Sequence, residues 1–247
     1  MPLVVATMLC RAPGVYRPQS DTWLLADVLA RGDYARGRRV LEICTGSGLL
    51  ALAAAEGGAE SVTATDLSLR SVATTWLNTR RCGAQVRVRR GDLFAPVRGH
   101  RFDLILANPP YVPSLARRAP RHRMARCWDG GIAGRAFIDR ICAEAPKHLA
   151  AAGMLLIVHS SICDEQQTLR QLKQHQVEAR LLASTTEAFG PVLRARAALL
   201  ERHGLIRVGQ RHEQLIVIGG WLTTSAGVSS AAAMPSSGAV RPFGLAD

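Results

Sequence analysis

The chain has 247 residues, 48% of them apolar, and its Lys+Arg 31 against Asp+Glu 19 give a formal charge of +12. That length suffices for a large domain with a sizeable core, and no apolar run reaches the roughly 18 residues of a membrane-spanning helix. The cysteines at 10, 44, 82, 127, 142 and 163 include no C-x-x-C pair, which speaks against a zinc site or a disulfide framework and for small core residues in a reducing compartment.

Met1–Cys10 is apolar but short and has no basic segment before it, so no signal peptide is expected and the protein is assigned to the cytoplasm. The positive charge favours an acidic partner, such as nucleic acid or a ribosome-associated protein. A GC-rich genome that substitutes Arg for Lys would give the same total, so charge alone leaves both readings open.

Val15–Thr22 is a polar, proline-bearing segment that leads into Trp23, Leu24, Ala26, Val28 and Leu29 on a helical stripe. Asp21 or Thr22 is the expected N-cap. Arg39–Cys44 then reads as a strand, Thr45-Gly46-Ser47-Gly48 as a tight turn, and Leu49–Glu56 as a helix. Ser61–Thr65 forms a second strand ending at Asp66.

Strand, Gly-rich turn, helix and acidic strand end make a βαβ nucleotide-binding unit. Glycines let the backbone approach a ligand closely, and the helix start offers free N–H groups. The third glycine of a dinucleotide fingerprint is absent, but Ala51 at that place is a tolerated substitute and leaves such a site open. Asp66 could accept hydrogen bonds from both hydroxyls of a ribose. Glu42 lies inside a strand that should be buried, where an unpartnered carboxylate is costly. It is therefore expected to face the pocket mouth and meet a cation or a polar ligand group.

Ser68–Arg81 is predicted as a helix with Leu69, Val72, Ala73, Trp76 and Leu77 on its core face. Val86-Arg87-Val88-Arg89 alternates like an edge strand, and Gly91-Asp92-Leu93-Phe94 ends it. Asp92 is either a turn aspartate or the acceptor for an exocyclic amino group. Phe102–Ala107 is a buried strand followed by Asn108-Pro109-Pro110-Tyr111. The prolines cannot continue a ladder, and Pro109 biases Asn108 to an extended conformation. An amide, a stiff turn and an aromatic ring are thus held at a strand's carboxyl end, where open α/β sheets bind ligands. A plain strand-terminating turn is the alternative.

Arg117–Arg126 is an Arg-rich loop expected over or beside the pocket. Trp128-Asp129-Gly130-Gly131 and Gly134-Arg135 punctuate its end, before a helix at Ala136–Leu149 that Pro146 ends or kinks. Met154–His159 is a buried strand, with His159 either functional or a satisfied strand end. Gln166–His175 reads as a polar helix, Val177–Ala183 as a strand, Pro191–His203 as a basic helix and Gln214–Ile218 as the last strand. The domain is expected over residues 1–221, with 222–247, rich in Ser, Ala, Gly and Pro, as a disordered tail.

Alternating strands and helices predict a single α/β domain built on a doubly wound, mostly parallel sheet of seven strands. Glu42 with the glycine turn, Asp66, Asp92 and Asn108 then share one edge and one crevice. This order resembles the class I S-adenosylmethionine-dependent methyltransferases, which are Rossmann-like. Asn108-Pro109-Pro110-Tyr111 is similar to the signature of methylators of glutamine amide or adenine N6. Tyr16-x-Pro18-x-x-Asp21-Thr22 and Trp128-x-Gly130-Gly131-x-x-Gly134-Arg135-x-x-Ile138-Asp139 resemble the HemK-related release-factor glutamine N5-methyltransferases. The likeness is to their compact branch, without an N-terminal helical domain.

The resemblance implies S-adenosylmethionine as cofactor, S-adenosylhomocysteine as product, and no metal. It implies that Glu42, Cys44, Gly46 and Gly48 cradle the methionine part and that Thr22 contacts it. Asp66 would hold the ribose, Asp92 with Leu93 the adenine. Asn108, which borders the cofactor, would hold the substrate amide together with Pro109, Pro110 and Tyr111. Cys44 stands where the general pattern has a glycine, and Gln19 and Ser20 replace more acidic residues. The implied substrate is the Gly-Gly-Gln loop of a peptide-chain release factor, and a small zinc-ribbon activator subunit is an implied partner.

The residues support the same chemistry. An amide nitrogen is a poor nucleophile because its lone pair is delocalised. The Asn108 side-chain oxygen and the Pro109 carbonyl can accept its two N–H hydrogens, orienting the lone pair, while Tyr111 packs on the flat face. Adenine-N6 methylation of RNA or DNA is the alternative, favoured by the charge, and a binding protein that has lost catalysis is a third reading.

Overall fold

Short apolar runs closed by Gly, Pro or Asp form the strands, and Ala/Leu-rich stretches form the helices that cover them. In the computed structural model, which describes residues 9–10, 12–114 and 125–223, the elements follow as α1 (Ser20–Arg31), β1 (Arg39–Ile43), α2 (Leu49–Glu56), β2 (Ser61–Asp66), α3 (Leu69–Arg81), β3 (Val86–Arg90) and β4 (Phe102–Ala107). After the loop come α4 (Ala136–His148), β5 (Leu149–Ser160), α5 (Glu165–Gln174), β6 (Val177–Ala188), α6 (Pro191–Arg202) and β7 (His212–Leu222). Of the Arg-rich segment only Ala125 and Arg126 are among these residues, and the predicted tail lies outside them beyond Thr223.

The seven strands form one sheet in the order β3-β2-β1-β4-β5-β7-β6. β1 through β5 pair in parallel, and β7 runs antiparallel between β5 and β6. Side chains alternate across the sheet. Val40, Leu104, Leu106, Leu156 and Val217 pack beneath α1 and α2, while Leu41, Ile43, Ile105, Leu155 and Ile216 pack beneath α4 and α5. β6 and β7 extend past the predicted strands: their ladder continues through polar residues, from Thr186↔Gln214 to Ala188↔His212, and β7 also runs on through Gly219–Leu222 against Val177–Arg180. Pro146 sits near the end of α4, which continues to His148.

Helix α3 contradicts the predicted core face. Leu69 is 62% exposed, Trp76 52% and Leu77 41%, while the buried residues are Ser71, Thr74, Thr75, Asn78 and Thr79. The polar side is turned inward because it holds backbone. Thr75 Oγ1 donates to the Gly46 carbonyl at 3.2 Å. Asn78 Nδ2 donates to Ser47 O at 2.9 Å and to Cys10 O at 3.0 Å.

Candidate active site

Strand register assembles the site. Ile43 lies opposite Thr65 on β2 and opposite Ala107 on β4, so the glycine turn, Asp66 and Asn108 leave the sheet side by side. The neighbouring pair β1/β4 is also where the strand order reverses, the switch point at which open α/β sheets bind ligands.

The turn after β1 is shaped for close approach. Cys44, Gly46 and Gly48 have φ of 59°, 56° and 85°, a left-handed backbone that favours glycine. That conformation is the physical reason for a glycine where this chain has Cys44. A Cβ at Gly48 would stand 2.8 Å from the Thr75 side chain. Asp66 ties the turn to β2: Oδ2 accepts from Gly46 N at 3.0 Å and Oδ1 from Ser68 N at 2.8 Å. Burial pushes its carboxyl up despite those two bonds.

Glu42 corrects its predicted position. It is buried beneath the turn, not at the pocket mouth, and its partners are the Thr45 hydroxyl at 2.5 Å and the Ala51 N–H at 3.0 Å. Its role is to fasten the turn to the start of α2. Burial raises its pKa to about 8. Leu93 is buried at φ 44° and its carbonyl accepts from Thr65 Oγ1 at 3.1 Å.

Asn108 is linked to α1. Its Nδ2 donates to Thr22 Oγ1 at 3.0 Å. Thr22 in turn donates to Asp21 Oδ1 through its backbone N–H at 2.6 Å and its hydroxyl at 3.1 Å. Asp21 Oδ2 accepts from Tyr16 at 2.9 Å and from Tyr111 at 3.0 Å. Asp21 and Thr22 are therefore not caps. They are buried inside the first turn of a helix whose N-cap, Gln19, makes no side-chain bond. Burial and the adjacent Asp21 charge push both phenols upward, which keeps them protonated donors.

A second layer braces the turn from behind. Val112 N donates to Trp128 O at 2.7 Å, and Gly130 N to Val112 O at 2.9 Å. A Cβ at Gly130 would lie 2.7 Å from Tyr111 Cα, and one at Gly134 2.1 Å from Tyr111 O. Asp129 accepts from Ser114 at 2.8 Å and from Arg196 on α6 at 3.2 Å. Arg135, also buried, donates to Asp164 O at 3.0 Å, to Thr168 Oγ1 at 3.1 Å and to the Cys163 carbonyl.

Against known proteins, residues 7–125 match the family model of the methyltransferase small domain. A Methanocaldococcus jannaschii protein, provisionally named a protein N5-glutamine methyltransferase, is 34% identical over 161 residues, covering 65% of this chain and 80% of that protein. The chain belongs to the protein N5-glutamine methyltransferase family.

Two bacterial relatives extend the comparison. A release factor glutamine methyltransferase of Gloeobacter violaceus is 36% identical over 157 residues, 59% of this chain and 54% of the relative. A ribosomal protein uL3 glutamine methyltransferase of Bradyrhizobium diazoefficiens is 42% identical over 125 residues, 48% and 39% respectively. The chain thus spans about half or less of their length. The E. cuniculi Mtq2–Trm112 complex, responsible for methylation of the eRF1 translation termination factor, shares the fold at TM-score 0.59 and 21% identity, over 85% of this chain and 99% of that one.

For this N5-glutamine methyltransferase family member, Asn108, Thr22, Tyr111, Asp66 and the glycine turn gather at one edge. Asp92 is gripped by Arg140 of α4 at 2.8 and 3.2 Å. Burial above all, helped by the Asp92 charge, raises the pKa of the Cys44 thiol in the turn. Sequence reasoning missed Asp21, since a polar residue before an apolar helical run reads as a cap. In the sequence Gly130 and Gly134 read as punctuation of the loop's end and as part of the motif that carries the resemblance. Their signal was the pairing of glycines with a proline-rich turn, each needing backbone to pass within van der Waals contact. His159 is a satisfied strand end: its ring bonds Ser160 O at 2.8 Å and Thr168 Oγ1 at 3.1 Å, and burial lowers its pKa to about 4. Among the described residues no His, Cys, Asp and Glu group is arranged to hold a metal ion.

Proposed function

We propose that this protein transfers a methyl group from S-adenosylmethionine to the side-chain N5 of a glutamine, in the Gly-Gly-Gln loop of a peptide-chain release factor. The observation that carries this reading is Asn108, which stands beside the glycine turn with Nδ2 engaged by Thr22. Its Oδ1 takes no partner among the described residues.

The cradle fits the cofactor. The turn around Gly46 and Gly48 lets backbone approach the methionine part, and Cys44 and Thr22 border it, with Glu42 holding the turn in place. Asp66 keeps lone pairs beyond its two backbone bonds for the ribose hydroxyls. Leu93 walls the adenine side, and an adenine amino group reaching Asp92 would share that carboxylate with Arg140. When bound, S-adenosylmethionine supplies an electrophilic methyl carbon on its sulfonium.

The chain's own residues then handle the acceptor. Asn108 Oδ1 and the Pro109 carbonyl accept its two N–H hydrogens and turn the nitrogen lone pair towards the methyl carbon. Pro109 and Pro110 fix the turn, and Tyr111, tethered through its hydroxyl to Asp21, packs on the amide plane. Positioning supplies the acceleration, and the proton leaves afterwards to water.

Nucleic-acid adenine N6 is a second reading, favoured by the charge of +12 and by Arg87, Arg89 and Arg90 on the edge strand β3. An assay offering release factor, ribosomal protein uL3 and bulk RNA separates the readings. Label in release factor is expected, and label in RNA alone refutes the assignment. A small activator subunit is the proposed partner, supported by the exposed Leu69, Trp76 and Leu77 beside the β3 edge. The cytoplasm is the proposed location; no helix among the described residues is long and apolar enough to cross a membrane.

A further inference from the structure

We propose that Asp21 is a positioning residue: acting through Thr22 and Tyr111, its carboxylate fixes which end of the Asn108 amide meets the acceptor. The inference rests on the reading of Asn108 as the acceptor-binding residue. An amide side chain has nearly the same shape either way round, so its shape cannot choose between presenting C=O or NH₂. The choice must come from its neighbours.

A carboxylate supplies it, because it only accepts. Asp21 is buried and each of its hydrogen-bond partners donates: Tyr16, Tyr111, the Thr22 N–H and the Thr22 hydroxyl, at 2.6 to 3.1 Å. The Thr22 proton therefore points at Asp21 Oδ1, and the Oγ1 lone pair is what remains for Asn108. Only a donor can meet it, so Nδ2 turns inward at 3.0 Å and Oδ1 faces the crevice. The flipped amide would set a carbonyl oxygen against that lone pair and aim NH₂ at an NH₂ acceptor. The same carboxylate holds the Tyr111 hydroxyl, so amide and ring are oriented from one point.

The test measures kcat and cofactor Kd for Asp21→Ala, Thr22→Val and the double variant, with Asp21→Asn as the conservative replacement. Whichever acceptor the wild type methylates is used, since adenine N6 also presents two N–H hydrogens. Thr22→Val and Asp21→Ala are each expected to lower kcat about tenfold, the scale of one orienting hydrogen bond. Cofactor Kd for Asp21→Ala should stay within about twofold, Thr22→Val being read by kcat alone because Thr22 also borders the cofactor, and the double variant should have a kcat no lower than Asp21→Ala alone, as serial action requires. Asp21→Asn, whose oxygen still accepts from Thr22, should recover part of the loss.

Losses that multiply in the double variant, or a Thr22→Val whose kcat is unchanged, overturn the inference. So does an Asp21→Ala that weakens cofactor binding instead of lowering kcat. A wild type that methylates RNA alone defeats the glutamine assignment while leaving this test intact, and one that methylates nothing defeats both.

Discussion

Asn108 enters the crevice with its donor engaged and its acceptor free, so its loss should fall on transfer rather than on binding. Asn108→Ala is expected to lower kcat by about 10²–10³, the cost of removing one preorganised group at a reacting centre, with cofactor Kd changed less than about threefold by titration calorimetry. Two other carboxyls govern stability. Burial raises Glu42 to about 8 and Glu213, whose Oε2 is buried with no hydrogen-bond partner among the described residues, to about 7. Both bind a proton more tightly folded than unfolded, so they favour the fold at low pH and lose that contribution as pH rises towards those values. His159, at about 4, acts in the opposite sense but only below its ordinary value of roughly 6.5. Between pH 6.5 and 8 the thermal midpoint should therefore fall, and Glu213→Gln should flatten part of that slope. Asn108 and Asp66 were legible in sequence because a polar residue closing an apolar run has few structural reasons to be there. Asp21 and Glu42 were not, because each has an ordinary local reading, as a cap and as a pocket carboxylate, that only the partners across the fold displace.

Helix α3 shows where periodicity misleads. Its apolar stripe promised a core face, yet the stripe is outside and the threonines and Asn78 are inside, where Thr75 and Asn78 hydrogen-bond the glycine turn. Trp76→Ala should accordingly cost less than about 1 kcal/mol by chemical denaturation, where a core tryptophan would cost about 3–5. The loop that begins at Trp128 behaves in the opposite way. Gly134 has φ 75°, and its missing Cβ is what lets Tyr111 O pass, so Gly134→Ala should destabilise by about 2 kcal/mol or more. Transfer should be lost along with it, measured at a temperature where the variant remains folded. Strands β1, β2 and β4 were readable as short runs with sharp ends, and β3 as an alternating edge strand. Strands β6 and β7 were cut short in sequence, since neither a ladder through polar residues nor a Gly-Gly pair carries a hydrophobic signal.

At the scale of the molecule, the fold follows from the alternation of strands and helices, and the crevice from the shared register of β1, β2 and β4. What alternation does not convey is which strand comes last into the sheet. β6 pairs only with β7, and β7 also closes β5. A growing chain therefore completes the turn, Asp66, Asn108 and their bracing loop long before it can finish its sheet. Until residues 212–222 are made, β5 has an open edge and β6 has no partner. Long-range pairing of this kind is slow to form and exposed to misassociation while it waits. A chain ending at Arg211 should consequently lose β6 and α6 to brief protease digestion, and the full chain should keep them. Strand β7, the last among the described residues, is thus the keystone, and a stalled or shortened product would carry every residue of the crevice on a scaffold that cannot close.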